Sequence, residues 1–236
     1  MEIAIWSDYV CPFCYIGKRR LEQALEDTGY ASQAKLQLKA YQLDASTPEV
    51  VTESVYESLA RKYGTSIEQA RSMTANVTEQ AKTVGLEYNF DDMKGANTAR
   101  AHRLVKYADT EGKGYDLGEK LLKAHFLDGQ NVNDPSLLAQ LASEVGLEQK
   151  KAREVVESNQ FFPEIQIDQT EAAQIGIQGV PFFVLNNKYA ISGAQPIEVF
   201  KEAIEKVAQE EGLKPTPKLQ FVGEPGAVCK DDSCEI

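Results

Sequence analysis

Strand-forming sequence occurs only near the two ends of this 236-residue chain, and that placement limits the folds open to it. Residues 2–6 (Glu-Ile-Ala-Ile-Trp) make a short, mostly apolar run that stops at Ser7-Asp8, the pattern of a buried strand. Residues 35–41 alternate polar and apolar and predict a second strand. Between them a helical pattern starts after Cys11-Pro12, carries Leu21 and Leu25 on its apolar face, and stops near Gly29. The opening order is therefore β-α-β.

A long stretch without strand signal follows. Thr47-Pro48 predicts a helix start that runs to about Gly64, and Ser66 to Gln69 fits a capping box for another helix ending near Gly85. Asn97 fits the cap of a third. Further segments follow at about 115–127, 135–145 (Asp134 as cap, Pro135 at the first helical position) and 148–159. Strand signal returns at Pro181–Leu185 and Lys188–Ile191, joined through Asn186-Asn187 as a two-residue hairpin. Pro196 opens a last helix with Ile197, Phe200, Ile204 and Val207 on one face and Gly212 past its end. No internal repeat or low-complexity segment interrupts this order, which reads β-α-β, a helical block, then α-β-β-α. The fold class is α/β: a thioredoxin fold with a large all-helical insertion between its N-terminal β-α-β and C-terminal β-β-α parts. The expected division is 1–45 with 165–212 for the thioredoxin-fold domain and 46–164 for the inserted helical domain. Lys214-Pro215-Thr216-Pro217 then reads as a linker into a C-terminal arm, 213–236.

Composition excludes several function classes. The net charge is −11, which argues against binding a nucleic-acid backbone. No apolar run approaches the roughly 18 residues that a membrane-spanning helix needs, so no membrane partner is expected. Met1–Trp6 has neither a basic n-region nor a small-residue cleavage site, and the expectation is a protein that begins here and stays in the cytoplasm. Its four cysteines form two close pairs, Cys11/Cys14 and Cys229/Cys234. In a cytoplasmic chain that points to redox or metal chemistry rather than a disulfide framework.

Cys11-Pro12-Phe13-Cys14 lies where the first strand meets the first helix. A thiolate is the nucleophile in disulfide exchange, and a helix N-terminus offers it unpaired N–H groups and the positive end of the dipole. That is worth ~0.3–1 kcal/mol at a surface and up to ~2 when partly buried. Cys11 stands just before the helix and is the expected attacker; Cys14, one turn inside and less exposed, is the expected resolving thiol. Pro12 suits the first turn because its missing donor would be unpaired there anyway. Half of a zinc site is the competing reading, but no second C-x-x-C or histidine pair at ligand spacing accompanies it. No cofactor and no metal is called for. Gly179-Val180-Pro181 precedes the hairpin. X-Pro bonds cost little in the cis form, and the expectation is a cis Val180–Pro181 bond beside Cys11, with the Val180 backbone facing a substrate strand. An ordinary turn proline is the alternative.

Trp6-Ser7-Asp8-Tyr9-Val10-Cys11-Pro12-Phe13-Cys14-Tyr15-Ile16-Gly17, with Gly179-Val180-Pro181-Phe182-Phe183, resembles the DsbA-like thioredoxin-fold oxidoreductases. Within them the chain is most similar to the cytoplasmic FrnE-type branch, through Asn97–Arg103 and His125–Gly129. The resemblance spans Glu2 to Phe200. It implies disulfide oxidoreductase or isomerase activity under a helical lid, with Cys11 and Cys14 as the catalytic pair and Pro181 as the cis-proline. Protein substrates or small-molecule thiols and disulfides would be the partners, with a cellular thiol reductant regenerating the site. The chain could act alone or as a homodimer. Periplasmic members often carry a histidine between the cysteines. Phe13 stands there instead and offers the thiolate no hydrogen bond or charge, so a milder oxidant is expected, by some tens of millivolts.

Pro12, Phe13 and Val180 are the expected substrate contacts, and His102 is a further candidate, weighed against a structural hydrogen bond. For His125, packing or a helix C-terminal charge effect is the default. The resemblance also implies that Cys229/Cys234 act as a second redox pair relaying disulfides to Cys11/Cys14; the alternatives are an idle exposed pair or a metal clip with Asp231, Asp232 and Glu235. Two other functions compete: a glutathione-dependent isomerase or transferase of the 2-hydroxychromene-2-carboxylate isomerase/kappa type, which uses serine where Cys11 stands, and a metal-binding stress protein.

Overall fold

Side chains of β1 (Glu2–Ser7) alternate between two environments, and this divides the molecule into layers. Ile3 and Ile5 point into the main apolar core, whereas Ala4 and Trp6 point into a smaller cluster on the opposite face with Val184, Ala172 and Ile177. The computed structural model describes residues 1–216 and the backbone of two short strands at 228–230 and 233–235. Its main sheet has the order β2-β1-β3-β4, with β2 at Lys35–Ala40, β3 at Phe182–Leu185 and β4 at Tyr189–Ser192. β1 runs parallel to β2 (Ile5 opposite Leu38) and antiparallel to β3 (Ile5 opposite Phe183). That is the thioredoxin arrangement expected from the order of elements.

The Ile3/Ile5 face is covered by α1 (Pro12–Thr28) and α9 (Ile197–Glu211). Phe200, Ile204 and Val207 of α9 are buried as their spacing requires, and Phe200 meets Phe183 edge to face with ring centroids 5.0 Å apart. Between β2 and β3 come α2 (Val55–Tyr63), α3 (Ile67–Lys82), α4 (Ala99–Thr110), α5 (Gly114–Phe126), α6 (Pro135–Glu144), α7 (Gln149–Glu157) and α8 (Phe162–Ile175). Leu104, Leu117, Leu121, Leu138 and Val156 from this insertion share one continuous core with Ile3, Ile5 and Phe200. α5 comes so close to β2 that a β-carbon on Gly118 would lie 2.1 Å from the Leu38 Cδ1 atom.

Three local expectations change. α2 begins at Val55 rather than near Pro48, because Ser54 and Glu57 form the capping box: Glu57 N–H donates to Ser54 Oγ (3.2 Å) and Ser54 N–H to the Glu57 carboxylate (2.8 Å). The preceding residues are held in irregular backbone by other partners. Asn97 donates to the Thr47 carbonyl (2.6 Å) and Asn133 to that of Glu49 (2.9 Å), so these carbonyls are taken by side chains. In the hairpin, Asn186 and Asn187 take positive φ as the turn requires, but Leu185 pairs with Tyr189, which leaves three residues between the strands. The start of the expected linker is docked: Thr216 N–H donates to the Gly29 carbonyl (2.8 Å) and Gln33 to that of Lys214 (2.8 Å).

The sheet's other face is tied to the insertion by buried charge. Asp168 of α8 accepts from the Ala40 N–H (2.7 Å) and pairs with Lys106 of α4 and Lys39 of β2, while its own carbonyl accepts from the Trp6 indole (3.0 Å). Removing one partner of a buried pair leaves the other charge uncompensated. Asp168→Ala should therefore destabilise the fold by about 3–5 kcal/mol, read from the urea midpoint, whereas an exposed change such as Lys151→Ala should shift it by less than about 0.5 kcal/mol.

Candidate functional site

Where β1 ends, the chain turns through Asp8-Tyr9-Val10 and enters α1 with Cys11 as its N-cap (φ −95°, ψ 109°) and Pro12 in the first turn. The turn is held by backbone: Cys11 N–H donates to the Asp8 carbonyl (3.2 Å) and Cys14 N–H to that of Cys11 (3.0 Å). Both thiols are free. Across from them the Val180–Pro181 bond is cis, and the Cys11 thiol lies 3.5 Å from the Val180 carbonyl oxygen as its donor. Gly17 explains how the helix sits this close, since a β-carbon there would lie 3.0 Å from Pro181 Cγ and from Phe183 Cζ.

The two sulfurs differ in surroundings more than in exposure. Cys11 is 4% exposed and Cys14 2%, so the expected accessible attacker is nearly as enclosed as its partner. Phe13, between them, is 38% exposed. Burial, then the neighbouring Cys11, push the Cys14 thiol well above its ordinary range, with the Ser7 side chain and Asp8 backbone pulling weakly the other way. Burial thus favours the thiol over the thiolate at Cys14.

His102, placed by the sequence among possible substrate contacts, belongs to the frame instead. Its ring is buried, lies 4.8 Å from that of Tyr9, and has Nε2 3.1 Å from Asp8 Oδ1. Asp8 is itself buried and accepts from the Tyr9 N–H (2.9 Å) and, through its other oxygen, from the Leu43 N–H (2.8 Å). Two contacts from the insertion had no motif to announce them. The Tyr88 hydroxyl donates to the Pro12 carbonyl (2.7 Å), and Glu119 of α5 accepts from Tyr15 (2.6 Å) and pairs with Lys18 and Arg19, all on α1. Cys229 and Cys234 fall on β5 (Val228–Lys230) and β6 (Ser233–Glu235), whose antiparallel register sets them opposite each other; their side chains lie outside the described residues. Among the described residues no group of three or more His, Cys, Asp and Glu side chains could hold a metal ion, and no helix is long and apolar enough to cross a membrane.

A cysteine thus stands at a helix N-cap, a second cysteine lies one turn on, and a cis-proline faces them. The DsbA-like thioredoxin domain model matches residues 2–205, and the chain belongs to that family. It is 35% identical to a probable DsbA oxidoreductase of Streptomyces coelicolor, SCO1869, whose crystal structure superimposes with a TM-score of 0.83 over 100% of this chain and 99% of that one. It is also 27% identical over 207 residues to the uncharacterized protein YwbO of Bacillus subtilis, covering 86% of this chain and 96% of YwbO. The fold is shared more distantly with the cytosolic disulfide reductase DsbM of Pseudomonas aeruginosa, at 15% identity, TM-score 0.62, and 89% and 100% coverage.

His125, near the end of α5, is buried with no hydrogen-bond partner for Nδ1, and burial pulls it down to about 4. A histidine depressed in the folded state adds stability above its ordinary pKa of 6.5 and loses it as pH falls toward 4. Replacing it by glutamine removes that dependence. Between pH 7 and pH 5 the wild type should lose about 2 kcal/mol more than His125→Gln, measured by urea unfolding of both proteins at each pH.

Proposed function

We propose that this chain is a cytoplasmic thiol–disulfide oxidoreductase with isomerase capacity, acting on protein or small-molecule disulfides through Cys11 and Cys14. The observation that carries this reading is the Cys11 thiol at the helix N-cap, hydrogen-bonded to the carbonyl of the residue before the cis-proline. The Cys11 thiolate attacks one sulfur of a substrate disulfide, forming a mixed disulfide and releasing the other sulfur as a thiolate that takes up a proton. Cys14 then gives up its proton and attacks Cys11, closing the Cys11–Cys14 disulfide and releasing the second substrate thiol. The substrate gains two electrons and the pair loses two; an external thiol returns them, and the same steps in reverse oxidise a dithiol. Isomerisation needs only Cys11, with a thiol of the substrate resolving the mixed disulfide. Phe13 and Val180 are the proposed contacts for the substrate backbone and its apolar side chains.

Small thiols are included because one crystal structure of the distant fold relative DsbM contains GSH. A glutathione-dependent isomerase of the 2-hydroxychromene-2-carboxylate type fits less well, because a resolving cysteine behind Cys11 has no part in its chemistry. We take Cys229/Cys234 as a second exchanging pair, supported by the register that sets them opposite each other.

Insulin reduction and refolding of a scrambled disulfide protein test the reading. Cys11→Ser should lose at least about a hundredfold in both assays, while Cys14→Ser should trap a mixed disulfide and retain part of the isomerisation. Full activity of Cys11→Ser would overturn the assignment. The relay is tested apart: a Cys229→Ser/Cys234→Ser variant should turn over more slowly and alter the steady-state redox state of Cys11, and unchanged values of both would remove it.

A further inference from the structure

The insertion reaches the redox turn itself through Tyr88, a residue in the segment between α3 and α4. Its ring is wedged among Tyr15, Phe90 and Phe126, with centroids 6.3, 5.7 and 4.9 Å away, and its hydroxyl donates to the Pro12 carbonyl at 2.7 Å. Burial raises the Tyr88 hydroxyl far above its ordinary range, and Cys11 is the next contributor, which places a neutral phenol within electrostatic reach of the attacking sulfur.

The Pro12 carbonyl belongs to the same peptide unit as the Phe13 N–H. Cys11 is the N-cap; its thiol makes no cap hydrogen bond in this dithiol state but donates to the Val180 carbonyl. An ionised N-cap side chain can accept from the N–H groups of the second and third helical residues, here Phe13 and Cys14. Cys14 N–H is already bonded to the Cys11 carbonyl. The Phe13 N–H therefore remains as the donor for a Cys11 thiolate. A hydrogen bond accepted at one end of an amide strengthens the donor at its other end, by roughly 10–30% per bond in condensed phase.

Resting on the redox reading above, we propose that Tyr88 is a positioning residue for that reaction: its hydroxyl, held on the Pro12 carbonyl, polarises the Pro12–Phe13 peptide so that the Phe13 N–H stabilises the Cys11 thiolate. The attacking thiolate is then tuned by a side chain of the helical insertion, in a site where Phe13 supplies no charge of its own. A thiolate stabilised in this way favours the reduced pair and makes the disulfide form the stronger oxidant. The other titratable groups at the pair are Cys14, beneath Cys11, and the neutral Tyr9 and Tyr15, with Asp8 turned toward His102.

Tyr88→Phe keeps the ring and removes only the hydroxyl. In Cys14→Ser and Cys14→Ser/Tyr88→Phe proteins, where Cys11 is the sole thiol of the pair, the pH midpoint of thiolate absorbance at about 240 nm should rise by a few tenths, or about twofold in the ionisation constant. In the protein with both cysteines, the glutathione equilibrium should move by about the same factor toward the Cys11–Cys14 disulfide. Tyr115→Phe is the control, since it removes an equally enclosed hydroxyl that donates to Glu22 (2.8 Å) and not to the redox turn. Unmoved midpoint and equilibrium in Tyr88→Phe would overturn the proposal, and so would equal shifts in Tyr115→Phe, which would mean general loosening. If Cys11→Ser is inactive while Tyr88→Phe is unshifted, this inference alone fails; a fully active Cys11→Ser removes the redox reading beneath it.

Discussion

Asp8 is where the two parts of the molecule meet at the chemistry. Its carboxylate is buried, and a buried carboxylate is tolerable only when its oxygens are satisfied. Three elements satisfy it: the Tyr9 N–H of the redox turn, the Leu43 N–H of the segment leaving β2, and His102 of α4. Its own carbonyl meanwhile accepts from the Cys11 N–H. One residue thereby sets the approach of the cysteine-bearing turn, the exit of the chain into the insertion, and the position of an insertion helix. Neither histidine of this chain serves as a surface group; His102 completes this frame, and His125 is buried against Phe126.

A second, independent tie lies on the opposite face of the sheet. There Asp168 joins α8, α4 and β2 through Lys106, Lys39 and the Ala40 N–H, and through the Trp6 indole it also reaches β1. Asp109, beside Lys106, is pushed up to about 6, chiefly by its own burial, so this region carries one carboxylate that is easily neutralised next to one held by two lysines. With the Asp8 contacts at one site, the Asp168 cluster at another and the Glu119 pairs along α1, the insertion is braced against the thioredoxin part from three directions. The continuous apolar core between them follows from the same geometry.

The parts legible in the sequence were those whose cause is local. The apolar run at residues 2–6, the Ser66 capping box, Asp134 with Pro135, and a turn at Asn186-Asn187 all act within a few residues, and each appears in the structure, the turn with one residue more than expected. The turn into α1 was legible for the same reason, since Cys11-Pro12 needs only the helix start it creates. Contacts between segments distant in sequence were not legible. Pro48 looked like a helix start because nothing nearby shows that Asn97 and Asn133 will capture the carbonyls around it. His102 stayed open between a substrate contact and a structural hydrogen bond because Asp8, 94 positions away, does not announce its need for a donor. Tyr88 gave no signal at all, because a tyrosine between two helices is ordinary until its hydroxyl is seen on the Pro12 carbonyl.

The near-burial of both sulfurs has a chemical consequence that ties these strands together. In the dithiol state the Cys11 proton lies toward the Val180 carbonyl, the edge proposed above to meet a substrate backbone. Loss of that proton leaves a carbonyl oxygen facing a thiolate, and two electron-rich atoms at this distance repel. The carbonyl is then free for a donor from outside, and a substrate backbone N–H is such a donor. On the proposed function, ionisation of Cys11 and docking of a substrate strand would favour one another, because both break the same hydrogen bond. The exposed Phe13 beside this edge offers the apolar contact that an enclosed sulfur cannot make. Under the proposed function, selectivity among protein substrates would rest on backbone pairing and apolar surface.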